Sequence, residues 1–257
     1  MPPERHIAIE APYAPRIDLP PPFRLVTLRE AGDAVAHACR HAAELGAGTL
    51  VSVGRFDVAE FAVVFEPDEP HASSWRVLYA GMVALVRAMA AIAPPHKPIA
   101  IEWPDAIRVD GGLVGGGRLV APDDGDTAVP PPWLVFGAVI RLASIPDSEA
   151  AASPRAAARE DTALEDEGFG EGADANGLVE AFARHLMRTL DRWRDNGFAA
   201  VAGEYLSHLP PEDGAQRAIG EDGDLLVRRP GRRAQRRGLR QRLSRPSWFG
   251  SHAGGPR

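Results

Sequence analysis

The run Ile99 to Val120, IAIEWPDAIRVDGGLVGGGRLV, concentrates the residues of this chain best placed to do chemistry. It reads as a strand, a sharp Trp-Pro turn, a short strand, a glycine turn and a further strand. Gly115, Gly116 and Gly117 lack a Cβ and allow close approach of a ligand to the backbone, and Arg118 adds one cation beside them; a hairpin bulge uses such glycines equally well. Trp103 could stack on a ring or anchor the turn in a core. Asp110-Gly111 is a hairpin-turn signal first and a ligand contact second. Upstream, Gly54-Arg55-Phe56-Asp57 offers a few backbone amides and one guanidinium, enough to hold an anion. A salt bridge at the rim is the other use of Arg55.

Other combinations do not converge. His37, Cys39 and His41 look like a metal triad in one dimension, but on a helix i and i+2 lie about 200° apart, so the three cannot meet and no metal site is expected. Cys39 falls on the apolar stripe of its helix and is expected to be buried and inert, which removes it as a thiol for acyl transfer. His185 sits beside an apolar face, as a packed histidine does. No Ser-His-Asp spacing and no phosphate-loop pattern is present.

The elements that must position these residues alternate without a strict βαβ rhythm. Phe23–Thr27 reads as a short strand. Glu30–Leu45 reads as a helix with Val35, Ala38, Cys39, Ala42 and Leu45 on one face. Strands are expected over 48–53 and 61–65, joined by the link Gly54 to Glu60. A helix follows from Trp75, capped by Ser73 or Ser74 and stopped by Pro94-Pro95. WLVFGAVIRL, from Trp133 to Leu142, is apolar enough for a strand buried on both faces. Ser144–Asn176 reads as a long loop. Leu178 to Trp193 marks an amphipathic helix ended by Asn196-Gly197, followed by a shorter helix over Phe198–Leu209. A tight turn at Glu221–Asp224 precedes a strand, Leu225–Val227. This mixture predicts an α+β fold, with a largely antiparallel or mixed sheet and packed helices.

Composition sets the outer bounds. The chain has 257 residues, is 45% hydrophobic and carries a formal charge of −6, which suits one large domain with a small appendage. The organisation expected is an extended arm over 1–22, a main domain over 23–209 and a small arginine-rich extension over 210–257. No apolar run approaches the roughly 20 residues of a membrane span. The start shows no secretory pattern and Cys39 is the sole cysteine, so a cytoplasmic protein is expected. Lys97 is the only lysine among 29 basic residues. The tail from Leu225 holds ten arginines and no acid; without interleaved aromatics it reads as solvated, or folded against an acidic body, rather than as a nucleic-acid site.

Several of these segments, in order from about Glu30 to Leu209, resemble the biotin/lipoate protein ligase family. They are Gly48-Thr49-Leu50-Val51, Phe61 to Pro67, the helix from Trp75, the Trp103-Pro104 hairpin, the Trp133 strand, Thr162 to Gly168, and the final helices with Trp193, Gly197-Phe198 and Glu204-Tyr205. The hairpin is similar to that family's Lys-Trp-Pro-Asn-Asp pattern, with Glu102 in place of the lysine and Asp105 in place of the asparagine. Gly220–Val227 and Arg245-Pro246-Ser247-Trp248 look like the tail of a bacterial branch with a C-terminal domain of unknown function. There is no N-terminal helix-turn-helix of the kind some biotin ligases carry. The resemblance implies the ligase catalytic-domain fold and a two-step reaction. A carboxylate (biotin, lipoate or octanoate) attacks the α-phosphate of ATP, accompanied by Mg, and a lysine of a biotinyl or lipoyl carrier domain then takes the acyl group. The family's Gly-Arg-rich loop is contracted here to Gly54–Asp57, and Leu113 or Val114 falls where a biotin ligase supplies a lysine. The pocket this implies is formed by Arg55, Trp103, Asp105, Asp110, Gly115, Gly116, Gly117 and Arg118. The alternative is a catalytically degenerate module that keeps the fold to bind a carrier or another protein. Neither bound metal nor redox cofactor is expected, and the oligomeric state is left open.

Overall fold

The computed structural model describes residues 17–122, 127–144, 161–170, 173–244, 246 and 248. Most of the N-terminal arm, the tip of the loop after the hairpin, much of the 144–176 loop and the end of the tail lie outside the described residues.

Seven strands form one sheet: β1 (Arg24–Leu28), β2 (Thr49–Val53), β3 (Val58–Phe65), β4 (Ile99–Glu102), β5 (Ala106–Val109), β6 (Gly112–Val120) and β7 (Leu134–Arg141). Their order is β1-β2-β3-β7-β6-β5-β4, antiparallel except for the parallel pair β1 and β2. The fold is therefore α+β with a mixed sheet. β3 is longer than its apolar run suggests, because Val58, Ala59 and Glu60 continue the ladder with β7, and this leaves only Gly54–Asp57 as the link.

Alternation along each strand divides the side chains between two faces. One face carries Leu50, Phe61, Val63, Phe136, Ala138, Ile107 and Leu119, and it is covered by α3 (Val77–Ala90), α4 (Ala175–Asn196) and α5 (Phe198–Ser207). Twelve of the fourteen residues of α3 are buried, as a helix enclosed by neighbours on all sides must be. Ser73 and Ser74 do not cap it. They lie inside a separate short turn of helix, α2 (His71–Ser74), and α3 starts after Trp75-Arg76 with no side-chain cap. α5 stops at Ser207, two residues earlier than its apolar pattern reaches.

The other face is covered over β2, β3 and β7 by α1 (Ala34–Leu45), whose Ala34, Ala38 and Ala42 pack on Val51, Ala62, Val64 and Val135. Small alanines let the helix approach closely, and Gly137 completes the fit: a Cβ there would lie 2.1 Å from Val35 Cγ2. α1 does not extend over β6, β5 and β4. A second, three-stranded sheet, β8 (Gln216–Ile219), β9 (Leu225–Arg228) and β10 (Gln235–Arg237), follows α5 and leads to α6 (Leu239–Leu243). β8 and β10 are rich in Gln and Arg and carry no apolar run, so periodicity does not mark them. Among the described residues no helix is long and apolar enough to cross a membrane.

Candidate functional site

The candidate site runs from the edge of α1 across the strands it leaves uncovered, and strand register arranges it. Val53, Glu60, Val139, Gly116, Ala106 and Glu102 form one continuous row across β2, β3, β7, β6, β5 and β4. One step along, Arg141 pairs with Val58 and Arg108 with Leu113. On the other side of the row Arg118 pairs with Gly137. Two-residue alternation puts all these side chains on one face. The result is a strip with an apolar middle (Val139, Gly116 and Ala106), Glu60 and Glu102 toward its two ends, and arginines on both flanks.

The glycine triplet does three separate jobs. Gly115 has φ 143° at an irregularity in β6, and a Cβ there would lie 2.0 Å from the Val139 carbonyl oxygen. Gly117 faces the helix-covered side, where a Cβ would lie 2.6 Å from Met82 Sδ. Only Gly116 opens onto the site face, and the indole of Trp248 lies against it: a Cβ there would be 2.6 Å from Trp248 Nε1. Trp248 is 1% exposed and forms a small cluster of its own with Val58, Ala106, Leu113 and Val139. Beside it Arg118 lines a residual cavity of only about 10 Å³ with Asp33, Glu60 and Gly137.

The Trp-Pro turn is held from the helix side. Trp103 and Pro104 are joined by a cis peptide bond. The Tyr205 hydroxyl donates to the Pro104 carbonyl at 2.7 Å, Trp103 Nε1 donates to the Tyr79 hydroxyl at 3.4 Å, and that hydroxyl donates to the Gly223 carbonyl. Trp103 packs against the main core and so anchors the turn. Asp105 is 1% exposed, with Oδ2 lacking a hydrogen-bond partner. Burial pushes its carboxyl up to about 7; the indole of Trp248 beside it works against the rise, and the Glu102 charge adds to it. Glu102 itself is paired with Arg108 at 2.8 Å, so the negative charge at the hairpin is compensated.

The remaining candidates sit apart from the strip or at its edge. Arg55 is held bidentately by Asp57 at 3.0 and 2.6 Å. That bond lowers the Asp57 carboxyl and raises the Arg55 guanidinium. Asp110 lies at the opposite end of β5 from Asp105, with φ 49° in its turn, and binds Lys97 at 3.0 Å. Lys97 also binds Glu167 at 2.8 Å. Cys39 is half-buried, and burial raises its thiol to about 11. His37 and His41 do share a face, ring to ring at 4.8 Å, but among the described residues no group of three His, Cys, Asp or Glu could hold a metal ion. A cavity of about 480 Å³ opens near the far end of β3, lined by Phe65, Glu66, Glu69, Leu190 and Trp193; no candidate residue lines it.

Sequence reasoning missed four participants. Arg108 follows Ala106 by two residues, so alternation could have placed it beside the glycines. Arg141 and Glu60 join only through the register of β3 on β7. Trp248 carries no local signal that it turns back onto the sheet. Glu60 is 5% exposed and accepts from the Ala34 amide at 2.9 Å, capping α1 from the site side. Burial raises its carboxyl, and that amide partly restrains the rise.

The sequence matches the Biotin/lipoate A/B protein ligase family over residues 19–207. No curated protein matches. Among solved structures, a biotin protein ligase-like protein of unknown function from Silicibacter sp. TM1040 is 28% identical, with a TM-score of 0.72 and coverage of 88% of this chain and 98% of that one. Apo biotin protein ligase from Aquifex aeolicus is 14% identical, with a TM-score of 0.64 over 84% and 96% of the two chains. The same enzyme in complex with biotin and ATP is 15% identical, with a TM-score of 0.61 over 84% and 95%. At these last identities the likeness is one of fold. Three quarters of the sequence, the sheet order and the hairpin agree on one assignment: this chain belongs to the biotin/lipoate A/B protein ligase family.

Proposed function

We propose that this protein binds a small apolar carboxylate of the biotin, lipoate or octanoate type together with ATP, and passes the acyl group through an acyl-adenylate to a lysine of a carrier domain. The observation that carries this reading is the strip across the sheet, apolar in its middle and flanked by Arg118 on one side and by Arg108 and Arg141 on the other. An apolar body lies along the middle of the strip beside Arg118, and Arg108 and Arg141, which pair with Glu102 and Asp161, exchange those partners for the anionic ends. In the first step a carboxylate oxygen attacks the α-phosphorus and pyrophosphate leaves. In the second the carrier amine attacks the acyl carbon, loses a proton and expels AMP. Both steps build negative charge on oxygen, which fixed guanidiniums stabilise more strongly than water does. Arginine then replaces the hairpin lysine. Mg enters with the triphosphate, since among the described residues no carboxylate cluster is built to hold it.

The second reading, a binding module that keeps the fold without catalysis, draws on a specific observation as well. Asp57 engages Arg55, and Trp248 already covers the strip. Calorimetry of the full chain with Mg-ATP and with each acid, alone and together, separates the two. Binding of one acid that tightens with nucleotide supports the ligase reading and names the acid. Heat with neither acid nor nucleotide retires adenylation and leaves the binding module.

A further inference from the structure

One side chain from near the C-terminus, Trp248, lies in the middle of the site face. Trp248 is 1% exposed. It touches neither of the two main cores, and its cluster consists of strip residues: Val58, Ala106, Leu113 and Val139. Its ring rests on Gly116, where a Cβ would meet the Asp105 carbonyl at 2.2 Å and the indole nitrogen at 2.6 Å. The indole faces Asp105, whose buried Oδ2 no group satisfies. With the indole in place, only about 10 Å³ remains beside Arg118.

Burying an indole removes a large apolar area from water. An ordinary surface anchor has no need of a buried carboxyl with an unsatisfied oxygen at its edge, whereas a ligand pocket uses such a group to orient what it binds. We propose that Trp248 is an intramolecular occupant of the ligand pocket, standing in for a flat ring that carries an N–H toward Asp105, and that such a ligand enters only by displacing the Trp248 indole. This rests on the reading of the strip as the ligand site and deepens it: ring ligands with an N–H donor, such as a cyclic urea or a purine, match the Asp105 edge, whereas a dithiolane or a plain alkyl chain offers it no donor.

The test uses the full chain and its Trp248→Ala variant, with indole as the probe. An apolar cavity of ring size takes up a matching ring. Indole is therefore expected to bind W248A and not the wild type. Biotin or Mg-ATP should displace it and bind W248A at least tenfold more tightly than wild type, with lipoate and octanoate gaining less. A folded W248A that takes up no indole overturns the proposal, as does equal indole binding by wild type and variant. An acid or nucleotide that binds W248A without displacing indole also overturns it, while leaving the ligase reading intact. Indole binding with no binding of any acid or nucleotide retires the ligase reading and keeps Trp248 as the occupant of a ring pocket. Should W248A fail to fold, the wild-type emission spectrum minus that of Trp248→Phe isolates the Trp248 signal. Saturating ligand should shift that signal to the red, and bound ligand with no shift overturns the proposal.

Discussion

Asp105 and Arg118 show how much one residue decides here. The Asp105 carboxyl is buried and raised to about 7, so the folded protein binds that proton more tightly than the unfolded chain does. Its contribution to stability is fully present below pH of about 4 and is lost as pH rises through 7. Asp105→Asn removes the titration while keeping the shape. The stability of D105N relative to wild type should therefore grow between pH 5 and pH 8, by on the order of 3 kcal/mol at 1.36 kcal/mol per unit. Urea melts of both proteins at the two pH values measure it; a difference that does not change with pH would show that the carboxyl is not held protonated. Arg118 bears on function. It is the guanidinium beside the residual cavity, and charge-assisted bonds of this kind are worth about 1.5–3 kcal/mol. Arg118→Ala should weaken nucleotide-dependent binding at least tenfold in a protein that still folds, as calorimetry and thermal denaturation would report.

At the scale of elements, the packing of α3 on β7 holds the floor of the site from behind. Gly81 lies on α3 against the ring of Phe136, where a Cβ would come within 2.4 Å. Phe136 is in turn stacked on Phe182 of α4, with ring planes 8° apart, so the ring has little room to yield. In an exposed helix a change from Gly to Ala stabilises by about 1 kcal/mol. Here overpacking outweighs that gain, and Gly81→Ala should destabilise by about 1–3 kcal/mol, seen as a lower urea midpoint. A stabilised variant would mean that the helix can move away from the sheet.

At the scale of the whole molecule, the arginine-rich extension is stitched to the main core. Leu239 is fully buried and Leu243 nearly so, and both belong to the same cluster as Val77 and Tyr79. The Tyr79 hydroxyl reaches the Gly223 carbonyl. Arg229 and Arg237 pair with Glu212, and Arg236 with Asp222 and Asp224, so these three arginines of the tail are met by acids just upstream of it. Surface pairs of this kind contribute little; the leucines contribute more. Leu239→Ala should cost about 2–5 kcal/mol and lower the single transition of the whole chain. A separate early transition for the extension would show that it unfolds alone.

What the amino-acid order determined by itself was local. The apolar stripe of α1, the run of β7 buried on both faces, the long amphipathic α4 ended at Gly197 and the hairpin with its Trp-Pro turn were all legible, because periodicity and turn chemistry are properties of consecutive residues. The order of those segments was enough to point to the ligase family. Only the tertiary structure decided which of three adjacent glycines faces the site, since a shift of one residue reverses the face and a local irregularity in β6 sets that parity. It also decided that Glu60, Arg108, Arg118 and Arg141 share one surface, which follows from register between strands distant in sequence. It seated Trp248 on Gly116 across more than a hundred residues of chain. Contacts of that span depend on where the sheet, the helices and the tail come to rest together, and no window of neighbouring residues encodes them.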